Sequence, residues 1–289
     1  MVVIRQLTKG DVNFVLGLAR QEDWIEYTPL DIIRCLECEP NGCFVAEDRR
    51  KPIGHVFSIS YEKAGWIGLL IVHPDHRGRG VGTMLMITAI NYLKRIGVET
   101  IRLEAVPEAV RLYQRLGFVE EFDSLRFCKE LKREGVYAES LRKEVFIAQK
   151  KDLENLADFD SKYFGANRLK VLERLHRDYP KNFLAAREGR RITGYIVGRK
   201  TLKGYWVGPW VCNPTRPDVA KRLFLSCVEA LDRKGELRVG TPAVNSSGTR
   251  LLADLGFRQT SKSVRMIWGK HEYSGNPEGV FGIGGPEKG

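Results

Sequence analysis

Hydrophobic residues change their spacing along this chain in an order that lays out two similar halves. Val2-Val3-Ile4 opens a strand near 2–7, and the stretch after Lys9-Gly10-Asp11 predicts helices near 10–20 and 29–38. Short apolar runs bounded by turn residues predict strands near 43–48, 52–61 and 65–72, the first two forming a hairpin around Arg49-Arg50-Lys51. Helical spacing resumes from about 80 to 96, a strand occupies 100–105, and a short helix carries Tyr113. Two closing strands take the first half to about residue 131, and the same layout returns from about 144 to 269. Between the halves lies a charged, irregular linker, KELKREGVYAES. After Tyr273 the chain is rich in Gly and Pro, so this tail is expected to wrap the surface or to be partly mobile.

The halves share sequence as well as layout. The run from Trp66 to Pro74, WIGLLIVHP, is echoed from Trp206 to Pro214 by WVGPWVCNP, an offset of 140 residues. Leu116-Gly117-Phe118 returns as Leu255-Gly256-Phe257, Gly54 as Gly194, and Phe44-Val45-Ala46 as Phe183-Leu184-Ala185. A repeat of this length implies two copies of one α/β fold. The expected domains are 1–135 and 142–289, the second including the Gly/Pro-rich tail.

Chemistry concentrates at one strand-to-helix junction. The apolar run Trp66–Val72 ends at His73-Pro74, and Arg77-Gly78-Arg79-Gly80-Val81-Gly82 then leads into a helix. Such a loop turns backbone N–H groups toward one point at a helix N-terminus, where the dipole also favours an anion. Glycine lets a phosphate approach closely, and arginine adds charge-assisted hydrogen bonds. The segment therefore reads as a pyrophosphate cradle. A P-loop would end in Gly-Lys-Ser/Thr, and the chain has Gly82-Thr83-Met84. A dinucleotide fingerprint needs G-x-G-x-x-G, and the spacing here is G-x-G-x-G. A turn that merely joins strand to helix is the remaining plain reading.

The order strand, Val-x-Pro, Arg-x-x-Gly-x-Gly, helix resembles the acetyl-CoA site of the GNAT superfamily of N-acetyltransferases, with Arg77, Gly80 and Gly82 matching its Gln/Arg-x-x-Gly-x-Gly/Ala pattern. The resemblance implies a mixed, mostly antiparallel sheet flanked by helices in each copy. It implies that acetyl-CoA is bound by the 77–83 loop, including Gly78, Arg79, Val81 and Thr83, and along the strand backbone of Leu70, Ile71 and Val72. A GNAT tyrosine lies four residues before a glycine, where Tyr113 precedes Gly117, and by resemblance Tyr113 protonates the departing CoA thiolate. Many relatives carry an asparagine seven residues before that tyrosine, whereas this chain has Val106. Some protein-acetylating relatives carry a glutamate in a Leu-Glu pair, which makes Glu104 after Leu103 a candidate general base, with a structural glutamate the alternative. Glu26, in the loop before the second helix, is a candidate substrate contact.

The second copy lacks these groups. Pro217-Asp218-Val219-Ala220-Lys221-Arg222 replaces the cradle, Leu252 stands at the Tyr113 position, and Asn245 fills the slot that Val106 left. The second domain is therefore expected to be a degenerate scaffold or a substrate-binding partner.

Composition narrows the remaining choices. The apolar fraction of 43% is ordinary, and no run approaches the ~18 apolar residues of a membrane span. The sequence opens as a strand entering a helix cap rather than as a signal peptide. Six cysteines in 289 residues suggest a reducing, cytoplasmic setting. Cys35, Cys38 and Cys43 lack a second Cys/His pair at zinc-site spacing, so no metal is expected. The net charge of +11 is spread along the chain without interleaved aromatics; it suits steering of anionic CoA better than nucleic-acid binding. The main expectation is transfer of an acetyl group from acetyl-CoA to a primary amine, on a small molecule or a protein. A non-catalytic acetyl-CoA-binding sensor or assembly subunit is the alternative.

Overall fold

Caps written in the sequence start the first helices. The Thr28 hydroxyl accepts the Asp31 N–H at 3.4 Å, and the Asp31 carboxylate accepts the Thr28 N–H at 2.9 Å and its hydroxyl at 2.7 Å. This reciprocal box, with Pro29 in the first turn, sets the start of a helix over Pro29–Cys38. The computed structural model describes residues 1–131, 144–231 and 234–289; the expected linker from 132 on, with the boundaries placed at 135 and 142, lies outside them.

In chain order the first elements are β1 (Val2–Gln6), α1 (Val12–Gln21), α2 (Pro29–Cys38), β2 (Phe44–Asp48), β3 (Lys51–Tyr61) and β4 (Ala64–Val72). They are followed by α3 (Val81–Arg95), β5 (Thr100–Ala105), α4 (Val110–Arg115) and β6 (Val119–Leu131). The second copy contributes β7 (Val145–Ile147), α5 (Leu153–Phe164), α6 (Leu169–Asp178), β8 (Phe183–Glu188), β9 (Arg191–Lys200) and β10 (Gly204–Cys212). Then come α7 (Pro217–Ala230), β11 (Gly235–Pro242), α8 (Ser246–Asp254), β12 (Arg258–Gly269) and β13 (Val280–Gly282).

Two compact units result, and neither is a contiguous half of the chain. Unit 1 comprises Met1–Glu121, Arg265–Glu272 and Pro286–Gly289; unit 2 comprises Phe122–Val264 and Tyr273–Gly285. In unit 1 the strand order is β1-β2-β3-β4-β5 with the Arg265–Gly269 end of β12 beside β5. Only β4 and β5 run parallel among the first five strands. In unit 2 the order is β7-β8-β9-β10-β11-β6, again with a single parallel pair, β10 and β11. Each unit is thus a mixed, mostly antiparallel sheet with helices on it.

Two expectations are corrected. The two closing strands of the first copy are one strand, β6, because Val119–Leu131 contains no Gly or Pro to break it. Only the first part of the Gly/Pro-rich tail lies on the surface: Ser274, Gly275, Asn276 and Glu278 are exposed, whereas Phe281 and Ile283 are fully buried and Glu287 and Lys288 are 1% and 2% exposed. Its glycines serve close backbone approach, since a Cβ on Gly279 would meet the Tyr163 ring at 2.1 Å.

Helix α3 carries its apolar stripe, Val81, Leu85, Met86, Ala89, Ile90 and Leu93, into the core of unit 1 over β3 and β4. In unit 2 the corresponding core centres on Trp210, whose ring lies 5.5 Å from Phe224 and 5.3 Å from Phe281.

Candidate active site

The cradle loop of unit 1 is solvent-exposed and pre-shaped. Pro74–His76 forms a single 3-10 turn, and Gly80 then caps α3 with φ +79°. Gly78 has φ +71°, so both glycines hold a conformation that side chains disfavour. A Cβ on either would meet nothing within 4 Å, leaving the space before the helix open to a ligand. Gly82 is ordinary by comparison, its would-be Cβ 3.7 Å from Val72 Cγ2. The α3 hydrogen-bond series begins with Met84 N–H to Gly80 O at 3.0 Å, so the N–H groups of Val81, Gly82 and Thr83 precede it. Arg77 Nε donates to Val72 O at 3.0 Å, which pins the loop to the end of β4, and its outer nitrogen pairs with Glu22. Arg79 contacts His76 Nδ1 at 3.1 Å.

The strand leading to this loop parts from its neighbour. β4 pairs with β5 only from Ala64 opposite Thr100 to Trp66 opposite Arg102, although the strands continue to Val72 and Ala105. Beyond Trp66 the two diverge, and Leu70, Ile71 and Val72 lie on the open stretch. A bulge marks the divergence: between Gly68–Phe57 and Ile71–His55 pairing, β4 holds one residue more than β3, and Leu69 takes φ +49°. Behind the bulge sits His55, fully buried between the rings of Phe14 and Phe57. Burial pushes its pKa down to about 4, opposed weakly by the Leu69 backbone, so the ring is neutral near pH 7.

Tyr113 projects from α4 into a buried site against Phe118, ring centroids 6.0 Å apart. It is 8% exposed, and burial alone raises its pKa well above the usual phenol value. Glu104 stands on β5 two residues past the last β4 pairing, with its side chain fully buried. Its Oε1 accepts both Nε and Nη2 of Arg265 at 3.1 Å. The Arg265 guanidinium also lies 4.8 Å from the centre of the Trp66 ring. Glu26 is half-buried between α1 and α2, next to Tyr27. The structure therefore places the cradle, the open β4 backbone, Tyr113 and Glu104 in one unit. Val106, in the asparagine slot, is exposed.

Unit 2 has the same frame with its openings closed. β10 and β11 also pair only as far as Trp206 opposite Arg238. There the gap is filled by the chain itself: β13 pairs with β10 at Trp210–Gly282 and Val211–Val280. Ile283 N–H donates to Gly240 O at 2.8 Å, and Thr241 donates to Phe281 O at 2.8 Å. Asn245 caps α8 through Gly248 N–H and donates its amide to Val280 O at 3.0 Å, which accounts for an asparagine there. At the α7 N-terminus Asp218 takes the anion position, paired with Arg216 at 3.0 Å and Arg222 at 2.8 Å.

Several residues escaped the sequence reading. Arg265 lies 161 residues from Glu104 and carries no local motif. Residues 286–289 read only as a Gly/Pro-rich end. The repeat alignment set Asn245 against a missing cofactor contact and gave no hint that it holds β13. Among the described residues no group of three His, Cys, Asp or Glu is placed to hold a metal, and no helix is long and apolar enough to cross a membrane. The Cys35 thiol is pushed up to about 11 by burial.

Known proteins share both units. The model of the acetyltransferase (GNAT) family matches residues 13–118, and a second GNAT-domain model matches 156–282. An uncharacterised N-acetyltransferase of Methanocaldococcus jannaschii is 37% identical over 137 residues, 41% of this chain and 61% of the relative. The chain thus spans somewhat under two thirds of that relative's length. A spermidine N(1)-acetyltransferase of Vibrio cholerae is 30% identical over 138 residues, 42% of this chain and 80% of the relative. A Pyrococcus horikoshii crystal structure matches 100% of this chain and 96% of its own with a TM-score of 0.82 at 24% identity, which shows the fold. The chain belongs to the GNAT family of acetyltransferases, with two GNAT domains in tandem.

Proposed function

We propose that unit 1 transfers an acetyl group from acetyl-CoA to a primary amine, and that unit 2 binds no acetyl-CoA. The observation that carries this reading is the junction of an open, left-handed glycine cradle with a strand that β3 pairs on one side but β5 leaves on the other after Trp66. The loop from Arg77 to Thr83 offers N–H groups and arginines to the pyrophosphate. The pantetheine arm lies along Leu70, Ile71 and Val72, its amides pairing with strand backbone as an added strand would. This puts the thioester at the bulge, where an N–H of the turned backbone polarises the carbonyl.

The amine nitrogen attacks the thioester carbon, the new C–N bond forms and the C–S bond breaks. Tyr113 gives its hydroxyl proton to the departing thiolate; a phenol held protonated by burial suits that step. The proton lost by the amine goes to Glu104, held in place by the two Arg265 hydrogen bonds. Glu26, beside Tyr27, is assigned a contact with the acceptor. The Vibrio relative is a spermidine N(1)-acetyltransferase, which makes spermidine a suitable first acceptor to try. The test is release of free CoA from acetyl-CoA on adding spermidine and a panel of other primary amines. Turnover with any of them supports the reading; tight acetyl-CoA binding without turnover would favour a sensor or assembly subunit instead.

A further inference from the structure

Unit 2 gathers positive charge at one place without pairing it. An open cavity of about 380 Å³ lies where α5, the turn between β8 and β9, and the connection from β10 to α7 meet. That size falls within the roughly 300–1,000 Å³ of ordinary small-molecule sites. Four cations line it, Lys162, Arg190, Arg191 and Arg216, against the two carboxylates of Asp158 and Glu188. Arg216 is taken up by acids, pairing with Glu188 and with Asp218 at 3.0 Å. Lys162, Arg190, Arg191 and Asp158 have no ion pair among the described residues.

The rest of the lining is chemically mixed. Phe159 and Tyr163 stand one turn apart on α5 with ring centroids 5.0 Å apart, which gives the cavity an aromatic wall. Asn213 Oδ1 accepts the Thr215 N–H at 3.0 Å and its hydroxyl at 2.9 Å, so the Asn213 amide nitrogen remains a donor. Thr193, 6% exposed, also lines the cavity, and its buried hydroxyl has no hydrogen-bond partner among the described residues. A buried polar atom left in this way points to a partner that the chain itself does not supply.

The matching place in unit 1 carries acids instead. At the repeat offset of 140 residues, Asp75 stands where unit 2 has Thr215. With the helix caps aligned at Asp11 and Asp152, Glu22 stands where unit 2 has Tyr163, and Glu22 pairs with Arg77. Neutral groups at both positions leave the cations of unit 2 uncompensated.

We propose that this cavity is a binding site for a small phosphate ester with a flat or apolar body. Three unpaired cations against one unpaired carboxylate leave a surplus of two positive charges, and a phosphate monoester carries about −1.5 to −2 at pH 7. Two arginines suit its oxygens, since each guanidinium can donate two parallel hydrogen bonds. The wall of Phe159 and Tyr163 takes the body of the ligand. No glycine lines the cavity, and the ligand is distinct from the acetyl-CoA proposed for unit 1.

The test is calorimetric titration of phenyl phosphate into the full chain, with benzoate as a singly charged probe carrying the same ring. A saturable equivalent of phenyl phosphate should bind more tightly than benzoate, and should persist in Gly80→Val. Arg190→Ala with Arg191→Ala should weaken it at least about tenfold, as loss of charge-assisted hydrogen bonds does. Lys150→Ala with Lys151→Ala removes the same charge from another exposed stretch of unit 2 and should leave the affinity unchanged. All four side chains are exposed, so neither pair threatens the fold, and circular dichroism checks this. Equal weakening by both pairs would mean general attraction to a basic surface and would overturn the proposal. So would benzoate binding as tightly as phenyl phosphate, loss of the equivalent with Gly80→Val, or no saturable heat. Absence of acetyl transfer would leave each of these outcomes readable, because none depends on turnover.

Discussion

The proton-donor role proposed for Tyr113 requires a phenol that stays protonated, and its buried surroundings suit that task. Burial against Phe118 keeps the phenol protonated past its usual range, so no loss of kcat from its ionisation is expected below about pH 10. Tyr113→Phe keeps the ring packed and removes only the acid. Turnover should fall roughly 10²–10³-fold with acetyl-CoA affinity nearly unchanged. Lost affinity with turnover preserved would make Tyr113 a packing residue. His55 supplies a second test at this scale. Its folded pKa of about 4 lies below the usual histidine value of 6.5, so between the two the unfolded chain carries a proton that the folded one does not. Stability should therefore decline as pH falls from about 6.5 to 4, by up to about 1.4 kcal/mol per unit. His55→Phe should flatten that part of the curve in denaturant titrations; an unaltered slope would mean that other groups produce it. Candidate residues were legible where a local pattern carried them, as at Arg77, Gly80 and Tyr113. Glu104 was legible as a candidate, but not its link to Arg265, since nothing in a sequence joins positions 161 apart.

At the scale of elements, the same frame is used twice with opposite outcomes. β4 leaves β5 after Trp66 and, among the described residues, no strand fills the gap; β10 leaves β11 after Trp206 and β13 fills the gap. Strand addition explains both, since any extended backbone with free amides can satisfy a parted strand. Phe281 anchors β13 in the core beside Trp210. Phe281→Ala should cost about 3–5 kcal/mol, read as a lowered Tm, while the acetyl-CoA affinity of unit 1 stays the same. A matching loss of acetyl-CoA affinity would mean that the ligand depends on this gap. Periodicity read the helices and most strands correctly because their apolar faces are continuous in sequence. It split β6 in two and left β13 unread, the first because a long polar strand resembles two short ones, the second because three residues carry no period.

For the whole molecule, one frame occurs twice, and the site proposed for acetyl-CoA has its features in unit 1 only. Asp218 pairs with Arg216 and Arg222 at the start of α7, and β13 with Asn245 occupies the strand gap, so unit 2 lacks both features on which the proposed acetyl-CoA site of unit 1 rests. The repeat offset of 140 residues made the duplication legible, and the missing glycines made the loss of one cradle legible. The interleaved membership of the two units was not legible, because strands β6 and β12 each carry an unbroken pattern across the point where one unit ends and the other begins. Nor was the burial of residues 286–289, since Gly/Pro-rich composition ordinarily marks exposed chain.

Calorimetric titration of acetyl-CoA into the unaltered chain and into Gly80→Val tests this account most directly. At φ +79° a β-branched residue is strained, and its Cβ projects into the open cradle. One equivalent should bind to the unaltered chain and none detectably to the variant, with circular dichroism showing the same fold in both. Two equivalents per chain, or one that survives the substitution, would contradict a single acetyl-CoA site in unit 1.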